Sequence, residues 1–136
     1  QRMFLARAFR LPPIRQKAIA KLCTSERIDA QLHKLRALLH DCMIRMKNLL
    51  DQYAKGAFEV MTPQGGACFW LAAMRPVDMR RVFEHLLVER IVIAPGELFS
   101  QQGSWKQYLR LSFTLDWSKD IAQAVEQLSQ AIRQSP

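Results

Sequence analysis

The stretch that decides the fold is residues 91–113, IVIAPGELFSQQGSWKQYLRLSF. It begins with a short β-branched run over 91–93, which predicts a strand, turns at Pro95-Gly96, and after a polar loop ends in strict alternation over 108–113. Successive side chains of a strand point to opposite faces, so the alternation predicts a strand with one buried face. Its two faces are Leu109, Leu111 and Phe113 on the buried side, and Tyr108, Arg110 and Ser112 on the other.

A β-hairpin is predicted immediately upstream. Residues 58–61 alternate and stop at Thr62-Pro63, and Gln64-Gly65-Gly66 has the composition of a turn. The run ACFWLAA over 67–73 follows, and it is apolar enough to predict a strand buried on both faces.

The first 55 residues predict helices. Residues 14–22 follow Pro12-Pro13, which suits a helix start, and carry apolar side chains on one side. A longer apolar stripe with three- and four-residue steps predicts a helix over roughly 26–54, ended by Gly56. We interpret this stripe as core packing.

Two further helices are predicted in the second half. Asp78 is the expected N-cap of the first, which carries a clean stripe from Met79 to Leu87. Asp116 or Ser118 is expected to cap the last helix, whose stripe is Ile121, Val125, Leu128 and Ile132.

This order predicts an α+β fold, a two-layer sandwich of helices on a small, mostly antiparallel sheet. We expect residues 1–136 to form a single domain of a longer chain. Within it, 1–55 is a helical segment with one long helix, and 56–136 is a ββαββα segment.

Composition excludes several classes of protein. The chain has 136 residues and 49% hydrophobic side chains, which fits one globular domain. No apolar run approaches the ~20 residues that span a bilayer, so we expect no membrane association. Cys23, Cys42 and Cys68 form no disulfide or zinc pattern and predict reduced, mostly buried thiols in a cytoplasmic protein.

Positive charge is concentrated in the first half. Residues 1–55 hold twelve Lys and Arg against four Asp and Glu, a net charge of +8, whereas 56–136 hold eight of each. This asymmetry fits a nucleic-acid or anionic surface. A solvated helix face or contact with an acidic neighbouring domain is favoured, because no aromatic residues alternate with the charges as in a single-strand binder.

Arg110 is the one candidate site residue. No nucleophile elbow, phosphate loop or metal-ligand spacing occurs, and His33, His40 and His85 are expected at the surface. A guanidinium in the middle of a strand is preorganised for a bidentate grip on a carboxylate. The pattern alone also allows an ordinary arginine on a solvated strand face.

Several of these segments together resemble a known family. Residues 63–71 resemble the P-x-GG-x-F-x-W segment of fold-type I pyridoxal phosphate (PLP) enzymes, and 91–113 are similar to the V-x-V-x-PG…F…LRLSF stretch of the class I aminotransferase C-terminal small domain. Leu32–Arg36 and 95–103 look most like GntR-type transcription regulators of the MocR kind. Those regulators fuse a winged helix-turn-helix to an aminotransferase-like domain.

The resemblance implies that Arg110 binds the α-carboxylate of an amino-acid substrate or effector. It also implies PLP in the full-length protein, held by a large domain of the same chain that carries the Schiff-base lysine. No catalytic, cofactor-binding or metal-binding residue is therefore expected in this chain, which should not catalyse transamination alone. A homodimer is implied for the full protein, with DNA contacted only through a separate N-terminal domain.

Three functions remain open at this point. The first is the sensor domain of a MocR-type regulator, responding to PLP or an amino-acid-like effector. The second is the small domain of a class I aminotransferase whose Arg110 holds the substrate. The third is a free-standing basic module that binds nucleic acid or protein.

Overall fold

A computed structural model describes residues 12–135. The order of helices and strands agrees with the sequence prediction, with a 3-10 helix added between the last two strands. The elements are α1 Pro13–Cys23, α2 Glu26–Tyr53, β1 Phe58–Met61, β2 Cys68–Ala73, α3 Met79–Val88, β3 Ala94–Pro95, the 3-10 helix Gly96–Phe99, β4 Tyr108–Ser112 and α4 Ile121–Gln134.

The chain divides into two compact units inside α2, between Leu38 and Leu39. In the first unit, no residue of α1 is buried, and Ile14 is 78% exposed. The second unit contains the sheet and the remaining helices. The single-domain organisation stays a prediction.

The sheet has four antiparallel strands in the order β1-β2-β4-β3. The predicted hairpin is present: Phe58 lies opposite Ala73 in the β1–β2 pair, and Gly66 in the turn has a φ of 84°. That left-handed conformation is easy for glycine and costly for most other residues. Because β4 lies between β2 and β3, it is a central strand.

One face of the sheet packs against helices. Phe69 of β2 and Phe113 just after β4 meet edge to face with ring centroids 5.5 Å apart, and both side chains are buried. The helices contribute apolar side chains to the same cluster, namely Met46, Leu50, Val82, Leu86, Val125, Leu128 and Ile132. The structure is therefore the predicted α+β two-layer sandwich.

Strand β2 is not buried on both faces, contrary to the prediction. Phe69 and Leu71 are fully buried, whereas Trp70 and Ala72 on the other face are only half-buried. The apolar composition of the run concealed this alternation.

The predicted strand at 91–93 is also wrong, because pairing with β4 begins only at Ala94. The end of α3 uses this backbone instead. The Ile91 N–H donates to Leu86 O at 2.9 Å and the Arg90 N–H to Leu87 O at 3.0 Å, with Arg90 at a φ of 61°. These bonds form a Schellman cap, which holds the chain to the helix for one residue beyond Arg90.

The N-cap of α4 is Asp120, whose side chain accepts from the Gln123 N–H at 2.9 Å. The two predicted candidates do not cap α4. Asp116 Oδ1 instead accepts from the backbone and the hydroxyl of Ser118, so both side chains are used in the turn before the helix. The predicted cap of α3, Asp78, is confirmed.

Candidate carboxylate-binding site

The outward face of the sheet carries Arg110. In the strand pairing, Arg110 lies opposite Trp70 on β2 and opposite Ala94 on β3. A large ring therefore stands on one side of the arginine and a methyl group on the other. Since residues paired across strands share a face, Trp70 and Arg110 project from the same side of the sheet.

The Arg110 side chain is exposed, and its Cζ lies 4.9 Å from the centroid of the Phe99 ring. This is a cation–π distance. Within residues 12–135, no hydrogen bond or ion pair occupies its guanidinium. Its N–H groups are therefore free to bind an anion in the plane of the guanidinium, as a carboxylate requires.

Four aromatic side chains contact one another beside this arginine, in a group that we call the aromatic cluster: Trp70, Phe99, Trp105 and Tyr108. Trp70 is its centre. Its ring stacks on Tyr108 at 5.7 Å and meets Phe99 and Trp105 edge to face at 5.7 and 6.2 Å. Phe99 and Trp105 remain 48% and 49% exposed, so the cluster forms part of the surface beside Arg110.

Sequence reasoning missed this cluster. Tyr108 was placed on the correct face, but Trp70 was assigned to a doubly buried strand, and Phe99 and Trp105 lie outside the strands. The available signal was that three aromatic residues, Phe99, Trp105 and Tyr108, lie close together within 99–108. Their contact with Trp70 could not be inferred without knowing that β4 pairs with β2.

The described residues do not by themselves build a PLP site. The seven lysines lie on α1, on α2 or in loops, with exposed or half-exposed side chains, and Lys47 pairs with Asp51 at 2.7 Å. No three His, Cys, Asp or Glu side chains within 12–135 converge as metal ligands would.

The exposure of the histidine and cysteine side chains agrees with the sequence prediction only in part. The three histidines are exposed, as expected. Cys23 is exposed and Cys42 and Cys68 are half-buried, so the expectation of mostly buried thiols is wrong. Among the described helices, none is long and apolar enough to cross a membrane.

Part of the basic first half lies within the described residues. Arg15, Lys17 and Lys21 are exposed on α1, where the described residues include no acidic side chain. Arg2, Arg7 and Arg10, which contribute to the same charge excess, lie outside the described residues.

Comparison with known proteins identifies relatives at the level of sequence, although no protein-family model matches the chain. The chain is 29% identical over 119 residues to YdcR and 28% identical over 102 residues to YjiR, two uncharacterized HTH-type transcriptional regulators of Escherichia coli strain K12. These alignments cover 88% and 75% of this chain but only 25% and 20% of the relatives. The chain thus spans about a quarter of the length of the curated relatives it matches.

Solved structures give the fold independently. LysN, an α-aminoadipate aminotransferase from Thermus thermophilus solved with N-(5′-phosphopyridoxyl)-L-leucine, matches with a TM-score of 0.70 and 26% identity over 79% of this chain and 28% of that one. AvtA, a valine-pyruvate aminotransferase from Salmonella typhimurium, matches with a TM-score of 0.65 and 16% identity, covering 73% of this chain and 27% of that one. At that identity the second match supports the fold alone.

The structure supplies the small-domain architecture of an aminotransferase, and the sequence relatives carry an HTH-type regulator name. The chain is therefore an aminotransferase-like small domain that is similar in sequence to part of two HTH-type transcriptional regulators.

Proposed function

We propose that this domain is the ligand sensor of a transcription regulator, and that Arg110 holds the carboxylate of its effector. The effector is PLP in combination with an amino acid, or an amino-acid-like molecule. The observation that carries the proposal is the exposed guanidinium at the centre of the sheet's outward face, with its N–H groups free and a ring against it.

The position of Arg110 suits a sensor because its backbone is fixed. Strand β4 is bonded on both sides, to β2 and to β3, so the Cα of Arg110 cannot shift without disturbing the sheet. A ligand held between this face and another domain would then favour a closed arrangement of the two.

We propose that the other domain is a large PLP-binding domain of the same chain. It would supply the lysine that anchors the cofactor, and the full protein would be a cytoplasmic homodimer. DNA would be contacted by a separate winged helix-turn-helix. When bound, the cofactor would hold the amino group of an amino acid, and Arg110 would bind the carboxylate of the same amino acid.

The experiment is a DNA-binding titration of the full-length protein with its own promoter fragment, with and without PLP and L-amino acids. We expect a ligand to change the apparent Kd for DNA in the wild-type protein, and Arg110→Ala to remove the response while leaving ligand-free DNA binding unchanged. A ligand response that survives in Arg110→Ala would contradict the proposed role.

A plain aminotransferase is the second candidate, favoured by the LysN match at 26% identity. The discriminating measurement is conversion of an L-amino acid and a 2-oxo acid by the PLP-loaded full-length protein. Steady turnover without any specific DNA binding would establish the aminotransferase and exclude the regulator.

A further inference from the structure

We propose that Phe99 is a positioning residue for Arg110, holding its guanidinium in place for a ligand. The inference rests on the proposed carboxylate-binding role of Arg110. The Arg110 Cζ lies over the Phe99 ring, 4.9 Å from the ring centroid, which is a cation–π contact. Within residues 12–135 no hydrogen bond engages the guanidinium, so its N–H groups stay available to a ligand.

Phe99 can position Arg110 because its own ring is held by a second aromatic contact. Trp70 meets it edge to face at 5.7 Å, and Trp70 belongs to β2, the strand paired with the arginine's own strand. Phe99 is also the last residue of the 3-10 helix, so its backbone is in a regular turn. Two strands and one turn therefore fix the three groups relative to each other.

The loop that carries Phe99 is closed on itself by a tight contact. A Cβ atom added to Gly96 would collide with the carbonyl oxygen of Trp105 and lie 2.9 Å from the Cβ atoms of Trp105 and Tyr108. Trp105 has a φ of 66°, a conformation that costs energy for a bulky residue. The surrounding packing must stabilise it.

The polar part of the loop reinforces this closure. Ser100 Oγ accepts from the backbone N–H groups of Gln102 and Ser104, at 3.2 and 3.0 Å. The segment between Phe99 and Trp105 is thereby folded back so that Trp105 returns to the cluster beside Trp70. Phe99 acts through Arg110 in this arrangement, because the loop places the ring and the ring orients the cation.

The test measures binding of two probes to the full-length protein: N-(5′-phosphopyridoxyl)-L-leucine and its L-leucinamide counterpart, which lacks the carboxylate charge. We expect Phe99→Leu to weaken binding of the carboxylate probe by about two- to fivefold, the range for an exposed cation–π contact. The carboxamide probe should be unaffected, and Phe99→Tyr, which keeps a ring, should restore wild-type affinity. In an Arg110→Ala background, Phe99→Leu should have no further effect.

If Phe99 had a purely structural role, Phe99→Leu would weaken binding of both probes equally or leave both affinities unchanged. Either result, in a protein where Arg110→Ala still weakens the carboxylate probe, would overturn the positioning role and leave the proposed function intact. If Arg110→Ala itself left the carboxylate probe unchanged, the proposed function would fail and the role of Phe99 with it.

Discussion

The two faces of strands β2 and β4 have opposite environments although their residues alternate along the same backbone. On the inner face, the side chains of Phe69, Leu71 and Leu109 are fully buried. On the outer face, Trp70 is half-buried and Arg110 is exposed, with its polar groups free. The inner residues therefore stabilise the fold, whereas the exposed guanidinium of Arg110 on the outer face is available for binding.

Substitutions at two adjacent residues of β4 should differ most in their effect on the free energy of unfolding. Leu109→Ala should lower the free energy of unfolding by about 2–5 kcal/mol, because it removes buried methyl groups and leaves a cavity. Arg110→Ala, its matched control on the outer face, should change it by no more than about 1 kcal/mol, the range of its exposed cation–π contact. Urea unfolding followed by circular dichroism measures both. Equal losses would mean that the outer face is also part of the core.

A smaller effect is expected where the segment after β2 is tied to the end of α4. The Arg75 guanidinium donates to Ile132 O and to Ser135 O, the latter at 2.9 Å, and so satisfies carbonyls that no helical N–H reaches. Arg75→Met should cost about 1 kcal/mol of unfolding free energy, within the range for a typical intramolecular hydrogen bond.

The control for Arg75→Met is Arg80→Met. Arg80 pairs with Glu84 at 3.5 Å on the exposed side of α3, and such a surface pair contributes little. If the two substitutions had the same effect on unfolding, the contact of Arg75 with the end of α4 would not be stabilising.

The smallest effect concerns Asp116, in the turn before α4. Hydrogen bonds from the hydroxyl and the backbone N–H of Ser118 lower the pKa of this carboxyl below its ordinary value of 3.8. The stabilisation is complete above pH 3.8 and is lost as the pH falls through the lower folded value. Ser118→Ala should raise the pKa of Asp116 toward 3.8, as an NMR titration of the carboxyl carbons would show. No change would mean that the hydroxyl does not stabilise the carboxylate.

Much of the fold could be predicted because periodicity reports burial. The stripes of α2, α3 and α4 and the alternation of β4 all reflect one buried side. Errors arose where a competing local bond decided the structure. The Schellman bonds of Arg90 and Ile91 tie the start of the 91–93 run to α3, and Ser118 occupies the carboxyl of Asp116.

The site was predictable only in part. Arg110 could be placed on the outer face from the sequence, but its neighbours come from three separated segments. Phe99 and Trp70 lie far apart in the chain and meet only because β2 pairs with β4. Such a contact depends on strand pairing, which no local pattern encodes.

Carboxylate binding by Arg110 is tested most directly by calorimetry on the full-length protein. The quantity to measure is the difference in binding free energy between N-(5′-phosphopyridoxyl)-L-leucine and its carboxamide. We expect the wild-type protein to prefer the carboxylate, and Arg110→Ala to reduce that preference by more than about 1.5 kcal/mol, as for a charge-assisted bidentate pair. Arg110→Lys should retain only part of it, since lysine keeps the charge but not the paired donors. An unchanged preference in Arg110→Ala would contradict the claim that the outer face binds a carboxylate.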